Sequence, residues 1–137
     1  MPSLLAVDSG PFVGWLNARD RHHQRAVAFL KGRRERLITT WPVITEVCHL
    51  APKSARAGFL RWISAGGAAV WHVPEDQSTV LADLMDRYSD LPMDLADASL
   101  VWLCHQVDTN LVATIDKTDF AIYRNARNRP FRNVFFS

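Results

Sequence analysis

Leu4-Leu5-Ala6-Val7-Asp8-Ser9-Gly10-Pro11 decides how the rest of the chain is read. Four consecutive apolar residues ended by a turn signal mark a strand covered on both faces, as in a parallel sheet. An acid follows at once, and ligands of open parallel sheets bind beyond the carboxyl ends of the strands. Ser9-Gly10-Pro11 is expected to break the strand, with a helix beginning at Phe12 and carrying Val13, Trp15 and Leu16. The same pattern of strand then acid recurs in Leu111-Val112-Ala113-Thr114-Ile115-Asp116.

Between and beyond these two stretches, strands and helices alternate. Residues 22–36 carry Ala26, Val27, Phe29 and Leu30 at helical spacing, and Leu37-Ile38-Thr39 reads as a second strand. Thr40 suits an N-cap, with Pro42 in the first turn of the next helix. Residues 53–66 look helical up to Gly66-Gly67, and 68–73 form a third strand. Pro74 introduces an amphipathic helix through Val80, Leu81, Leu84, Met85 and Tyr88. Pro92 ends the loop before a helix over 94–107, and 111–115 and 133–136 supply the fourth and fifth strands. Such alternation predicts an α/β fold, a parallel sheet of four to five strands sandwiched between helices. With no repeat, linker or low-complexity tract, one domain over 1–137 is expected.

Composition narrows the class. The 137 residues are 48% hydrophobic and 22% charged, which argues against disorder. No apolar run reaches the roughly 18 residues of a membrane span. The opening Met1-Pro2-Ser3 lacks a basic segment, so a cytoplasmic protein is expected and no membrane partner. Cys48 and Cys104 each adjoin a histidine, His49 and His105, yet helical neighbours point about 100° apart and cannot readily share zinc. Both thiols are expected to be buried and reduced. Concentrating four acids in one pocket leaves the rest of the surface at +6 against +2 overall, which favours a polyanionic partner. Two arginine clusters, Arg33/Arg34/Arg36 and Arg124/Arg127/Arg129/Arg132, fit that reading or a solvated surface equally.

The acids themselves carry the chemistry. Asp8 and Asp116 follow strands, where an Asp can serve a ligand or simply cap the next helix. With Asp97 at 0°, Val101 falls at about 40°, Cys104 at about −20° and Asp94 at about 60°. Asp97 therefore shares an apolar face, where an unpaired charge is costly. Glu46 flanks the stripe of Val43, Val47 and Leu50. Acids so placed are paired with a cation from a side chain or coordinate a metal. No Gly-rich phosphate loop, Gly-x-Ser-x-Gly elbow or His-Glu-x-x-His helix competes. Carboxylates without imidazole or thiolate select a hard cation, Mg²⁺ or Mn²⁺, which suits phosphodiester hydrolysis.

Four segments in order also resemble the PIN-domain family, and more narrowly the toxin nucleases of VapBC-type toxin–antitoxin pairs. These are Val7-Asp8-Ser9-Gly10-Pro11, Thr40-Trp41-Pro42-Val43-Ile44-Thr45-Glu46-Val47, Met93-Asp94-Leu95-Ala96-Asp97-Ala98-Ser99-Leu100 and Val112-Ala113-Thr114-Ile115-Asp116-Lys117-Thr118-Asp119-Phe120. The resemblance implies that Asp8, Glu46, Asp97 and Asp116 bind metal and catalyse. It implies supporting roles for Ser9, Asp94, Thr114 and Asp119, in hydrogen bonds to those carboxylates or in structure. It further implies an RNA substrate, a cognate antitoxin covering the site, and a homodimer. The helix with Phe12, Val13 and Trp15 is a candidate for the dimer or antitoxin contact.

Three functions follow for comparison. The leading one is a Mg²⁺/Mn²⁺-dependent endoribonuclease acting as a growth-inhibiting toxin. The alternative is a non-catalytic PIN-like module that binds RNA or protein, which would have no need of all four acids. A phosphate-handling enzyme using Asp8 as nucleophile is disfavoured, because the usual Asp-x-Asp pattern fails at Gly10.

Overall fold

Leu5, Ala6 and Val7 are wholly buried in β1 (Leu4–Val7), which has a parallel strand on each side and helices packed over the sheet. The structure, a computed structural model, describes residues 3–137; Met1 and Pro2 of the opening stretch lie outside the described residues. The other strands are β2 (Arg36–Thr40), β3 (Ala69–Trp71), β4 (Leu111–Ala113) and β5 (Arg132–Asn133). They form one sheet in the order β3-β2-β1-β4-β5, parallel throughout. The fold is the α/β type that the alternation predicts. Chain order reverses between β1 and β4, and such a switch point opens a crevice at the carboxyl ends of the two strands.

Among the described residues, seven α-helices flank the sheet: α1 (Ser9–Leu16), α2 (His23–Lys31), α3 (Trp41–Leu50), α4 (Lys53–Ser64), α5 (Ser78–Arg87), α6 (Leu95–Val107) and α7 (Asp119–Ile122). The most deeply seated is α6, which lies against β1 and β2 and buries Ala98, Leu100, Val101, Leu103 and Cys104 completely. Burial pushes the Cys104 thiol up to about 12, so it behaves as a small hydrophobe. Cys48 departs from expectation in being only half-buried.

Several element ends differ from the sequence reading. Ser9-Gly10-Pro11 does not break the chain but forms the first turn of α1, capped by Asp8. Pro11 is tolerated there because first-turn amides have no intrahelical partner. Gly10 is required, since a Cβ would collide with the Ile115 side chain. Helix α2 stops at Lys31 before Gly32, well short of residue 36, and Arg33 pairs with Glu35 at 3.4 Å on the way into β2. Pro74 leads into a 3-10 turn (Glu75–Gln77) before α5 begins at Ser78. Strand β4 ends at Ala113, releasing Thr114 and Ile115 from the ladder. Helix α7 has no counterpart among the elements expected from sequence.

The proposed contact role for α1 also fails at Phe12. Its ring is fully buried against Phe59 at 5.1 Å and Trp62 at 5.9 Å, while Trp15 meets Trp62 at 4.8 Å. That face of α1 belongs to the core. No helix among the described residues is long and apolar enough to cross a membrane.

Candidate active site

Because β1 and β4 are adjacent, the residues that follow them meet at the crevice. Asp8 donates its backbone N–H to the Ala113 carbonyl at 2.9 Å, extending the ladder by one rung. Its Oδ1 accepts from the Ser9 N–H at 2.8 Å, and its Oδ2 accepts from the Thr114 hydroxyl at 2.8 Å. The same hydroxyl accepts from the Asp116 N–H at 2.9 Å, so Thr114 bridges the two strand-end acids. Asp116 Oδ1 in turn accepts from the N–H of Asp119, the first residue of α7, at 2.9 Å. Asn133 holds Thr114 in place, accepting from its N–H at 3.2 Å and donating to its carbonyl at 3.0 Å.

The opposite wall comes from helices. Glu46 on α3 accepts a hydrogen bond at Oε1 from the Ser9 hydroxyl. Thr40 stands at the N-cap of α3 but makes no side-chain cap bond; its hydroxyl pairs with that of Ser99 at 2.6 Å, tying α3 to α6 behind the site. Asp94 caps α6, accepting from the Asp97 N–H at 2.8 Å. Asp97 receives only the Tyr123 hydroxyl, on Oδ2 at 3.4 Å.

All six acids singled out in the sequence line one cavity of about 550 Å³, and Asp20 joins them. Capping and ligand duty were posed as alternatives for Asp8 and Asp116. At Asp8 the geometry combines them, since a capping carboxylate still presents its other lone pairs to the cavity; Asp116 accepts from the first amide of α7 without occupying its N-cap position. Among the described residues, none of these acids pairs with a cationic side chain. The ion pairs Arg33–Glu35 and Arg127–Asp108 involve none of these acids, and no Lys, Arg or His lines the cavity.

Unpaired like charges leave an electrostatic signature. Burial raises Asp8 to about 6, opposed by the Ser9 and Thr114 hydrogen bonds and assisted by Glu46 and Asp94. Burial raises Asp97 further, to about 8, with Asp8, Asp94, Asp116 and Glu46 all adding to the rise. Asp119 is raised by burial and by Asp116. Tyr123, wholly buried beneath Asp97, is raised by burial and the surrounding acids and stays protonated as a donor.

This donor set fits a hard divalent cation: it is all oxygen, partly buried and without a counter-charge. No group of three His, Cys, Asp or Glu side chains among the described residues is already gathered tightly enough to hold an ion. A cation entering the cavity would offset the repulsion among these acids.

Sequence reasoning missed Asp20, Tyr123 and Asn133. Asp20 accepts from the His22 N–H at 2.8 Å in the turn after α1, a common loop role that marks nothing in sequence. Tyr123 and Asn133 reach the site from segments after β4, and no spacing rule links them to Asp97 or Thr114. Leu50, read as part of a buried stripe, is instead 56% exposed and lines the cavity.

The PIN domain family model matches residues 5–126. No curated protein matches the sequence significantly. Among solved structures, the chain is similar to Mycobacterium tuberculosis VapC20, described as a Sarcin-Ricin loop cleaving toxin. That match has 18% identity and a TM-score of 0.74, and covers 83% of this chain and 91% of the other.

Proposed function

Since this chain belongs to the PIN-domain family, we propose that it is a divalent-metal-dependent endoribonuclease acting as the toxin of a toxin–antitoxin pair. The observation that carries this reading is the cavity of unpaired carboxylates at the sheet's switch point, with Asp8 and Asp97 held well above the ordinary carboxylate range. Asp8, Glu46, Asp97 and Asp116 would hold Mg²⁺ or Mn²⁺. Such an ion supplies charge to offset that developing on a phosphodiester and lowers the pKa of water.

The chain's own residues set the geometry. Thr114 fixes Asp8 against Asp116, Ser9 aims Glu46 across the cavity, and Asp94 sets the start of α6 and hence Asp97. Asp97 keeps its proton at neutral pH in the cation-free protein and is the group that gives one up as a cation enters. Asp119 contributes through its backbone, which orients Asp116.

A protein partner covering the site accords with its rim. Leu50, Leu95, Trp41 and Ile115 are 56%, 52%, 48% and 42% exposed around the carboxylates, an apolar border of the kind that marks interaction sites. A cognate antitoxin seated there, on a homodimeric toxin, completes the proposal.

Brief induction in cells, followed by sequencing of RNA 5′ ends, tests it. Discrete new ends in one RNA motif, absent from Asp97→Asn, are expected; the sarcin–ricin loop that VapC20 cleaves is one place to look. Purified protein should cleave RNA with Mg²⁺ or Mn²⁺ and stop with chelator. Cleavage that survives exhaustive metal removal would overturn the mechanism.

A further inference from the structure

A second depression lies beside the acidic one and has the opposite sign. Its volume is about 590 Å³, and Arg21, Arg25 and Arg33 line it together with Phe29, Phe135 and the end of the chain. No acid is among its lining residues. Arg21 and Arg25 are exposed, Arg21 in the turn before α2 and Arg25 in the first turn of that helix. Neither belongs to the arginine clusters visible in sequence, because the fold brings the C-terminal segment against α2.

Phe136 joins this groove to the carboxylates. The Lys117 ammonium lies 4.0 Å from the centre of its ring and the Arg25 guanidinium 5.2 Å. Attraction to the ring quadrupole holds both cations in fixed places. Lys117 directly follows Asp116, and a depression of about 250 Å³ lined by Asp116, Lys117 and Phe136 adjoins the acidic cavity at Asp116. Lys117 and Arg25 thus share the Phe136 ring and Arg25 shares the basic depression with Arg21, a row that begins next to Asp116.

We propose that this row is a track for the phosphates of single-stranded RNA flanking the bond to be cut, with Arg21 and Arg25 binding phosphates remote from the chemistry. The inference rests on the reading of this chain as a ribonuclease. Spaced cations, in a depression lined by no Asp or Glu, suit a repeating polyanion, and guanidinium groups bind phosphate in bidentate fashion. The acidic cavity repels RNA until a cation enters, so a remote anchor is what gives the metal-free protein affinity for its substrate.

Binding of an oligouridylate of about 12 nucleotides in EDTA, over a range of salt, tests the track in the full chain. Arg21→Ala/Arg25→Ala should weaken binding roughly tenfold and lower the slope of log K against log salt by about 1.4, the value for two lost phosphate contacts on a single strand. Arg25→Lys alone should keep most of the slope. Hydrolysis of a small chromogenic phosphodiester with Mn²⁺ should be unchanged in the double variant, while KM for RNA rises. Unaltered RNA affinity and slope in a double variant that melts like wild type would overturn the inference. So would a groove that takes poly-glutamate in an Arg21/Arg25-dependent way but not RNA, which would make it a protein site. Arginine-dependent RNA binding without any RNA cleavage would instead strike the ribonuclease reading and leave the track standing.

Discussion

The two walls of the carboxylate cavity solve the same problem in different ways. On the strand wall Asp8 is only 6% exposed, yet both its oxygens accept hydrogen bonds, from the Ser9 N–H and the Thr114 hydroxyl. On the helix wall Asp97 is half-buried and receives one long contact of 3.4 Å from Tyr123. The more buried acid is nonetheless the less perturbed, about 6 for Asp8 against about 8 for Asp97. Hydrogen bonds to the charged form offset much of the burial at Asp8, whereas at Asp97 burial and four neighbouring acids act unopposed. Bracing, more than exposure, decides which carboxylate keeps its proton.

Neutralising each acid in turn gives the largest expected effect. Asp8→Asn and Asp97→Asn should each lose activity on RNA on the order of a thousandfold, comparable to deleting a key electrostatic group elsewhere. Their metal-free stabilities should diverge. Asp97→Asn replaces a carboxyl that already holds its proton at neutral pH, so it should melt near the wild-type temperature there and above it once pH passes about 8. Asp8→Asn sets an amide NH₂ against the Ser9 N–H or the Thr114 hydroxyl and should cost about 1–3 kcal/mol where that clash is not relieved. Thermal melts in EDTA decide it. If Asp97→Asn melts far below wild type and the two metal responses are the same, Asp97 is architecture and the contrast between the walls is wrong. Metal should raise the wild-type melting temperature, and that of the Asp97→Asn variant much less.

Removing a brace rather than an acid should be milder. Thr114→Val deletes the hydroxyl shared by Asp8 and Asp116 while keeping the shape of the side chain. Losses of about 10–100-fold in Mn²⁺ affinity or activity are expected. The Asp8 titration, followed by NMR, should move further upward; an unmoved value would show that the hydroxyl does not set it.

pH resolves the walls without mutation. Folded pKa values above the ordinary carboxylate value of 3.8 mean that the folded state binds protons more tightly than the unfolded chain. These groups therefore stabilise the metal-free fold fully below about pH 4. That contribution is lost as pH rises through about 6 at Asp8 and about 8 at Asp97. Melting temperatures in EDTA should decline over this window, Asp97→Asn flattening its upper part. Mn²⁺ affinity should rise over the same window as protons are displaced. A flat stability profile from pH 4 to 8 would remove the electrostatic basis of the site.

Tyr123→Phe should have the smallest effect. A 3.4 Å contact is a weak hydrogen bond, so activity should change by less than about threefold and stability by under about 1 kcal/mol. A larger loss in kcat with KM unchanged would show that the helix wall is braced after all.

Much of the architecture was legible in the chain. The apolar runs at Leu4–Val7 and Leu111–Ala113 are strands, the periodic stretch of α6 is a deeply buried helix, and the acids after β1 and β4 stand at the functional edge. Element ends were less legible. Ser9-Gly10-Pro11 carries turn residues, yet those same residues suit the first turn of a helix, where amides have no partner to lose. Phe12 looked available for a partner because helical periodicity shows that a face is apolar but not what covers it; Phe59 and Trp62, far along the chain, cover it.

By itself, then, the sequence determined the element types, their order and the identity of the acids, because each is encoded in local spacing and side-chain chemistry. Only the tertiary structure decided which acids converge, which are braced, and where the free arginines lie. Ser9 meets Glu46 across 37 residues and Thr114 meets Asp8 across 106, and Lys117 and Arg25 share the ring of Phe136. The Thr114 contact follows from placing β1 beside β4 and the Glu46 contact from placing β1 beside β2, and strand order is set by how whole helices cover the sheet's two faces, a global packing outcome that no local spacing encodes.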